Sequence, residues 1–381
     1  MSEPIPLSLY IHIPWCVRKC PYCDFNSHAL REPVDQAAYV DALLRDLDQE
    51  VARQVLPEIG SIFIGGGTPS LFDGAMIERL LSGVAARVAL ADDIEITLEA
   101  NPGTVEAAHF SDYRRAGVNR LSLGVQSLDD ARLADLGRIH SAQEARAALR
   151  LARDAGFDNV NLDLMYGLPS QTLDQARRDL LALIELGPEH ISWYQLTLEP
   201  NTQFHHAPPP LPDDDRLADM MEVGQQILAG AGFAQYEISA YAQPGRQCRH
   251  NLNYWQFGDY LGIGAGAHGK LTLADGRVWR RCKPRQPAAY LRAIQAGNAP
   301  AGNAVVAEDL PVEFMLNVLR LNDGVPVETL RRRTGLEPER LASALAAVRE
   351  RGLLAMDPDV FRPTAQGRRF LNDLLALFEP D

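Results

Sequence analysis

The 381-residue chain contains no run of about 18 or more apolar residues, so no segment has the length and polarity of a transmembrane helix. Its first residues, MSEPIPLSLY, lack the basic segment, apolar run and small-residue cleavage site of a signal peptide. Cysteine is scarce, with five residues, and the odd number argues against a disulfide framework. We therefore expect a cytoplasmic protein whose thiols are reduced and available as metal ligands.

Positive charge is also in short supply. The 37 Lys and Arg residues stand against 50 Asp and Glu, which gives a net charge of −13 and an isoelectric point near 5.2. Such a charge opposes broad electrostatic attraction to nucleic acid or anionic lipid, and we expect no nucleic-acid partner. With 46% hydrophobic and 23% charged residues, the chain has the composition of a soluble globular protein with material for two domains.

Short β-rich segments alternate with longer amphipathic segments through the first two-thirds of the chain. The strand-like segments are SLYIHI, SIFIGG, IEITLEA, RLSLGVQS, NVNLDLMYG and HISWYQLTL. The helical segments include residues 35–56, 75–88, 141–155 and 172–186. Six strand–helix units predict an α/β fold, an incomplete parallel (βα)6 barrel, because a closed barrel of this kind has eight. In such barrels the reactive side chains lie at the carboxyl ends of the strands.

The alternation breaks at Pro208–Pro210, ahead of a helix predicted over about 216–231. We predict a barrel over residues 1–205, a linker and extension over 206–300, and a mainly helical, winged-helix-like domain over 301–381. The extension contains a strand-like segment, QYEISAYA, and a glycine-rich loop at 262–269. Acidic residues interrupt the arginines of the last domain, which favours a packing or partner-docking module over one that binds DNA.

Three of the five cysteines lie within eight positions, at Cys16, Cys20 and Cys23, directly after the first predicted strand. A cubic [4Fe-4S] cluster has four iron corners, so three thiolates would leave one iron free for an exchangeable ligand. Spacing alone leaves two alternatives open. One is a tetrahedral zinc site with His12 or His28 as the fourth ligand, and the other is unligated cysteines.

Tyr10 and the C-x3-C-x2-C spacing resemble the signature of the radical S-adenosylmethionine superfamily, as does the aromatic Tyr22 between the last two cysteines. The resemblance implies a [4Fe-4S] cluster whose open iron binds S-adenosylmethionine. GGGTPS, at the end of the second strand, resembles the superfamily's glycine motif. The positions that match S-adenosylmethionine contacts in the anaerobic coproporphyrinogen oxidase group are Tyr10, Gly66, Gly67, Thr68, Glu99, Gln126, Arg138 and Asp163.

One position separates the branches of this group. The decarboxylating coproporphyrinogen enzymes carry a fourth cysteine two residues beyond the third, where this chain has Phe25. That difference disfavours coproporphyrinogen oxidase activity and leaves open whether the chain is an enzyme. The segments CDFNSH and HNLNYW, the latter at residues 250–255, instead resemble the haem-chaperone branch. This resemblance spans almost the whole chain.

The HNLNYW segment offers groups suited to haem. His250 would present a neutral imidazole to the haem iron, and Tyr254 and Trp255 would line an apolar porphyrin face. The thiol of Cys248 is a second candidate ligand, although the C-x2-C-H of covalent haem attachment is absent. By resemblance, the loop GIGAGAHG closes over the adenosyl pocket or the haem edge, and we assign His268 to the S-adenosylmethionine site.

The resemblance implies a protein that binds haem and transfers it to acceptor haem proteins, such as respiratory enzymes at the membrane. Such a protein would be cytoplasmic or peripheral at the inner membrane face. Its cluster would regulate rather than catalyse, for example by favouring a homodimer or haem release. The alternative functions are oxidative decarboxylation of coproporphyrinogen III and a radical reaction on RNA, which only the winged-helix-like tail supports.

Overall fold

The computed structural model describes residues 4–103 and 109–379. Residues 1–3 and 104–108 of the predicted barrel region and residues 380–381 of the predicted last domain lie outside the described residues. The main feature is a twelve-stranded sheet. Its strands are β1 (Leu7–Ile13), β2 (Ile59–Gly66), β3 (Leu90–Ala100), β4 (Arg120–Gln126), β5 (Val160–Tyr166), β6 (His190–Gln195), β7 (Ala234–Gln235), β8 (Ala240–Ala242), β9 (Asp259–Ile263), β10 (His268–Thr272), β11 (Val278–Cys282) and β12 (Asn303–Ala304). Their order in the sheet is β12-β11-β10-β9-β1-β2-β3-β4-β5-β6-β8-β7.

Strands β1 to β6 are adjacent and parallel, in the order that the alternating sequence pattern predicts. Their register aligns Tyr10 with Phe63, Phe63 with Thr97, and Thr97 with Arg120. Parallel strands are covered on both faces, which explains their high content of Leu, Ile and Val. In β1, every residue except Tyr10 is buried. The predicted incomplete parallel (βα)6 barrel is confirmed.

Helices connect the parallel strands and form the C-terminal part of the chain. They are α1 (Gln36–Val51), α2 (Gly74–Ala85), α3 (Phe110–Arg115), α4 (Asp130–Asp135), α5 (Ala142–Asp154), α6 (Leu173–Ile184), α7 (Gln203–His206), α8 (Asp214–Gly230), α9 (Arg249–Trp255), α10 (Pro287–Gln295), α11 (Leu310–Val318), α12 (Glu328–Thr334), α13 (Ala342–Glu350), α14 (Ala365–Arg369) and α15 (Leu371–Ala376). Reciprocal side-chain caps begin α5, at Ser141 and Glu144, and α6, at Thr172 and Gln175. The helices predicted around 35–56, 75–88, 141–155, 172–186 and 216–231 are all present.

The sequence prediction missed a seventh parallel strand. Strand β9 pairs with the other edge of β1, and the predicted glycine-rich loop contains the end of β9 and the start of β10. The glycines mark a close approach of two backbones: a Cβ on Gly262 would lie 1.9 Å from the carbonyl oxygen of His268. The prediction of one strand over QYEISAYA was also wrong, because that segment forms the two short strands β7 and β8.

The C-terminal part has an apolar core of its own, centred on Phe314, Leu330, Val348 and Phe361. Its short strands Val325–Pro326 and Val360–Phe361 pair antiparallel, and α12 and α13 lie between them in the chain. After α13, Leu354 pairs antiparallel with Pro363 and α14 follows, the order of elements in the predicted winged-helix-like outline. Phe257 of the extension packs into the same core. The three region boundaries stay a prediction. Within the described residues, no helix is both long and apolar enough to cross a bilayer.

A buried ionic cluster ties α1 to the end of β11. Lys283 Nζ donates to Asp46 Oδ1 at 2.5 Å and to Glu50 Oε1 at 2.7 Å, and Arg281 forms an ion pair with Glu50. Asp46 also accepts a hydrogen bond from the backbone N–H of Gly264 at 3.2 Å. The cluster therefore fixes the glycine-rich segment after β9 in place.

We expect Lys283→Met to lower the free energy of unfolding by about 3–5 kcal/mol, because it leaves two buried carboxylates without their shared cation. Denaturant unfolding of the two proteins would measure the change. Arg79→Met is the matched control. Arg79 pairs with Asp41 at the surface, where such a pair contributes about 0–1 kcal/mol. Equal losses in the two variants would contradict the importance of the buried cluster.

Candidate functional site

The three cysteines lie on a loop at the carboxyl end of β1. Backbone hydrogen bonds from His28 N to Pro14 O (2.7 Å) and from Leu30 N to Cys16 O (2.9 Å) close the loop. Asn26 anchors it to the glycine-rich segment, because its Nδ2 donates to Ala265 O at 2.8 Å. The loop is thus held between β1 and the segment after β9, at the end of the barrel where reactive groups are expected.

The thiols are partly buried and close enough to influence each other electrostatically. Burial raises the pKa of Cys16 and of Cys23, so both are protonated at neutral pH in the free chain. A metal centre binds thiolates, so loading this loop would release protons. Tyr22, between Cys20 and Cys23, packs into an apolar cluster with Leu136 and Met165, and burial raises its pKa.

Both histidines considered as zinc ligands are engaged elsewhere. His12 Nδ1 hydrogen-bonds to Tyr10 OH at 2.9 Å, and its Nε2 donates to Asn26 O at 2.9 Å. His28 Nε2 lies 3.3 Å from Arg285 O. Across residues 4–103 and 109–379, no three His, Cys, Asp or Glu side chains are placed to hold one metal ion. Ligands of a cubic cluster bind separate irons, so three thiols around a cluster need not converge on one point.

The glycine motif follows β2 and packs behind the cysteine loop. Gly67 N donates to Ile13 O at 2.8 Å and Thr68 N donates to Trp15 O at 2.7 Å. A Cβ on Gly67 would lie 2.5 Å from Trp15 O, so only glycine allows this approach. Gly66 has φ of 121°, a conformation that also favours glycine. The predicted Gly66, Gly67 and Thr68 are therefore next to the predicted cluster ligands.

Glu99, at the end of β3, accepts a hydrogen bond from Gly66 N at 3.0 Å. Burial raises its pKa to about 7, opposed by the Gly66 N–H and reinforced by the nearby carboxylate of Asp163. Burial also raises the pKa of Asp163, which accepts from Asn161 Nδ2 at 2.7 Å. Glu99 can therefore hold a proton near neutral pH, and the two carboxyl groups together can receive an ammonium group.

We expect Glu99→Gln to stabilise the cluster-free chain more at pH 8 than at pH 5. The pKa of Glu99 is raised on folding, so its ionisation destabilises the fold progressively between about pH 4.5 and pH 7. Glutamine does not ionise. The melting temperature of the Glu99→Gln protein, relative to that of the wild type, should therefore rise by at least about 2 °C over that interval. Thermal unfolding at both pH values measures this. A difference between the two proteins that does not change with pH would contradict it.

The remaining predicted side chains line the same end of the barrel. Arg138 Nη1 donates to Cys20 Sγ at 3.6 Å, and its Nη2 donates to Asn101 Oδ1 at 2.8 Å. Gln126 accepts from Tyr194 OH at 2.7 Å and has φ of 69°, a conformation that costs a non-glycine residue about 1 kcal/mol or more. The sequence prediction missed Asn101 and Tyr194, although both lie at strand ends of the same predicted barrel.

His268 begins β10 and lies near His12, on the same side as the cysteine loop. Its Nε2 is 3.3 Å from the Sγ of Cys282 on β11, and partial burial together with Arg280 lowers its pKa. The glycine-rich segment lies against the cysteine loop, because a Cβ on Gly266 would be 2.2 Å from Asn26 Nδ2. The glycine-rich segment is therefore on the side of the cysteine loop, and its role at the adenosyl pocket or the haem edge stays a prediction.

His250 lies toward the opposite end of the barrel from the cysteines. It is only 1% exposed, and its Nδ1 is 3.2 Å from Ser61 Oγ near the start of β2. The path from Ser61 to Gly66 along β2 spans roughly 16 Å at about 3.3 Å per residue. A ligand on His250 would therefore lie well below the cysteine loop, inside the barrel rather than at its mouth.

The imidazole of His250 has one free nitrogen. Its Nε2 is buried without a hydrogen-bond partner, and its ring packs against Phe63 and Tyr254 at centroid distances of 5.1 and 4.7 Å. Burial, together with the charge of Arg120, lowers its pKa to about 3, so the ring is neutral at physiological pH. Burial raises the pKa of Cys248 to about 12, which makes it the poorer candidate for a metal ligand.

The other two predicted haem residues are packed against the protein itself. Tyr254 contacts Tyr260 edge to face, with ring centroids 4.3 Å apart. The guanidinium of Arg320 lies over the ring of Trp255 at 4.2 Å, and Arg320 also donates to Glu237 at 3.1 Å. Helix α9 is therefore covered on its outer side, and its aromatic rings do not present an open porphyrin face.

Comparison with known proteins identifies the family. Residues 10–183 match the family model of the Radical SAM superfamily, and residues 305–370 match that of the HemN C-terminal domain. The chain is 54% identical over 373 residues to the heme chaperone HemW of Escherichia coli strain K12, with 98% of each chain covered. The chain belongs to the HemW family. Other HemW heme chaperones of similar length are those of Haemophilus influenzae, 50% identical over 99% of each chain, and of Bacillus subtilis, 34% identical over 97% of this chain and 98% of the relative.

The fold of this HemW family member also matches that of a solved structure. Coproporphyrinogen III oxidase (HemN) of Escherichia coli, described as a radical SAM enzyme, superimposes with a TM-score of 0.83. The match covers 98% of this chain and 90% of HemN at 24% identity. At this identity the likeness establishes a shared fold and no more. It accounts for the barrel and C-terminal domain, whereas Phe25, 60% exposed, remains a difference in the loop itself.

Proposed function

We propose that this chain is a haem chaperone, which binds haem and transfers it to acceptor haem proteins. The observation that carries the proposal is the 54% identity, from end to end, to a protein named heme chaperone HemW. We propose that its acceptors include respiratory enzymes at the membrane. We also propose that the chain forms a homodimer in one of its functional states. A cytoplasmic location, including the inner face of the membrane, suits such acceptors.

The proposal includes a [4Fe-4S] cluster on Cys16, Cys20 and Cys23, with S-adenosylmethionine at the open iron. Three thiols on one anchored loop fit this donor set, and the two competing histidines have other partners. When bound, such a cluster can deliver an electron to the sulfonium of S-adenosylmethionine. The residues proposed to contact S-adenosylmethionine are Tyr10, Tyr22, Gly66, Gly67, Thr68, Glu99, Gln126, Arg138, Asp163 and His268.

In this proposal, each side chain of the site contacts a different part of S-adenosylmethionine. Glu99 and Asp163 offer carboxyl groups to the amino group or ribose hydroxyls of S-adenosylmethionine. Arg138 offers a cation to its carboxylate, and Tyr22 adds apolar cover between two cluster ligands. The site thus offers negative charge to the amino group of S-adenosylmethionine and positive charge to its carboxylate.

The proposed haem ligand is Nε2 of His250, with Tyr254 and Trp255 as neighbours. A neutral, unpartnered imidazole nitrogen fits ferric or ferrous haem iron. Its burial means that helix α9 has to move before a porphyrin reaches it. Haem binding would therefore be accompanied by rearrangement of the contacts of Trp255 with Arg320 and of Tyr254 with Tyr260.

The deciding experiment starts with anaerobic reconstitution of the purified chain with iron and sulfide. Haem titration by absorption spectroscopy, haem transfer to an apo-acceptor, and decarboxylation of coproporphyrinogen III under reducing conditions are then measured on one sample. Saturable haem binding and transfer without decarboxylation support the chaperone. Turnover of coproporphyrinogen without saturable haem binding would replace it with the oxidase. Sizing before and after reconstitution tests the proposed dimer.

A further inference from the structure

Asn101 connects two side chains next to the cysteine loop, Arg138 and Thr68. It follows the last residue of β3, and both polar atoms of its side chain are used: Oδ1 accepts from Arg138 Nη2 at 2.8 Å, and Nδ2 donates to Thr68 Oγ1 at 3.0 Å. An amide is the side chain that can accept at one atom and donate at the other. Asn101 therefore holds Arg138, which follows β4 in the chain, and Thr68, which follows β2, at the same time.

Each of these two partners in turn touches a different thiol. Arg138 Nη1 donates to Cys20 Sγ at 3.6 Å, and the Thr68 hydroxyl lies beside the thiol of Cys16. A continuous chain of hydrogen bonds thus runs from Cys20 through Arg138 and Asn101 to Thr68, whose hydroxyl neighbours Cys16. Arg138 is further anchored by Gly124 O at 2.7 Å, which leaves Asn101 as its second fixed contact.

We propose that Asn101 is a positioning residue that sets the reduction potential of the cluster. Hydrogen bonds and positive charge at ligating sulfurs stabilise the reduced state, which carries one more electron, and so raise the potential. Asn101 does this indirectly, by holding Arg138 against Cys20 and Thr68 against Cys16. The inference rests on the proposed cluster and adds a residue that the sequence prediction did not include.

The test is a redox titration of the reconstituted protein without S-adenosylmethionine, with dithionite as reductant and the reduced cluster followed by electron paramagnetic resonance. Asn101→Leu has a similar volume and loses both hydrogen bonds. We expect its cluster to be at least about tenfold harder to reduce, a shift of about 59 mV to lower potential for one electron. Iron and sulfide content should stay at the wild-type level.

Two further variants separate positioning from general destabilisation. Asn119→Leu is the matched control. The Asn119 side chain also uses both polar atoms, but on backbone groups, Ile96 N at 2.8 Å and Ile94 O at 2.7 Å, and it contacts neither Arg138 nor Thr68. We expect a lower melting temperature and an unchanged potential for it. In a double-mutant cycle, Asn101→Leu and Arg138→Gln should shift the potential by less than the sum of their separate effects, because both act on Cys20.

The outcomes are distinguishable. An Asn101→Leu protein with a full cluster and the wild-type potential overturns the inference and leaves the proposed cluster intact. A wild-type chain that takes up no cluster overturns the proposed cofactor itself. If Asn101→Leu does not load, Thr68→Val removes the hydroxyl between Asn101 and Cys16 and leaves the Asn101–Arg138 contact in place. A shift in the same direction then supports the inference, and an unchanged potential refutes it.

Discussion

Replacing any one of Cys16, Cys20 and Cys23 with alanine is expected to abolish stable cluster assembly. Each thiolate is proposed to bind a different iron, and the two that remain cannot retain a cube whose fourth iron already lacks a protein ligand. Iron and sulfide content after anaerobic reconstitution should fall from about four of each per chain to near zero. The iron–sulfur absorption should disappear with it.

The two other cysteines are matched controls for that result. Cys248 is buried and 3.6 Å from Glu95 Oε1, and Cys282 is exposed beside His268. Cys248→Ala and Cys282→Ala should therefore retain the full iron and sulfide content. A full cluster in a Cys20→Ala protein, or its loss only in Cys282→Ala, would show that the cluster is held by other ligands.

Replacing His250 with alanine is expected to weaken haem binding at least about tenfold, equivalent to 1.4 kcal/mol, and to remove the spectrum of imidazole-ligated haem. His250 Nε2 is a buried nitrogen with no partner, so its removal breaks no hydrogen bond at that atom. Because its pKa is lowered to about 3, the imidazole stays neutral between pH 5 and pH 8. Its protonation should therefore not change haem affinity in that range.

His190 supplies the control for buried histidine in the same barrel. Its Nδ1 lies 2.6 Å from Asn161 Oδ1 and its Nε2 lies 2.8 Å from Tyr236 OH, so neither nitrogen is free for a metal. His190→Ala should lose stability but retain the haem spectrum and affinity of the wild type. Equal weakening in both variants would attribute the effect to general loss of structure, and unchanged binding in His250→Ala would exclude it as the ligand.

The haem and cluster sites are proposed for different ends of one barrel. His250 packs beside Ser61, whereas Thr68 and Gly67 of the same strand region back the cysteine loop. Communication between the sites would therefore pass along β1 and β2 or through the lumen side chains between them. Tyr10 is such a side chain, since its ring lies 6.3 Å from that of His250 and its hydroxyl contacts His12.

Local patterns in the sequence determined the parallel core and the position of the cysteine loop. Strands β1 to β6 are apolar runs separated by capped amphipathic helices, and these signals act over a few residues. The C-x3-C-x2-C spacing is equally local. Glu99, Gln126 and Asp163 were placed near strand ends, since parallel strands bring their carboxyl ends to one side of a sheet. The assignment of these three residues and of Arg138 to one site came from the family resemblance.

Only the tertiary structure decided which distant residues meet. Strand β9 pairs with β1 across some 250 residues, and the glycines that permit this approach look like a loop when read along the chain. The amide of Asn101 gains its role from partners at positions 68 and 138, and the free nitrogen of His250 is defined by burial against Ser61 and Phe63. Local propensity and spacing carry no information about such contacts, because chain folding creates them.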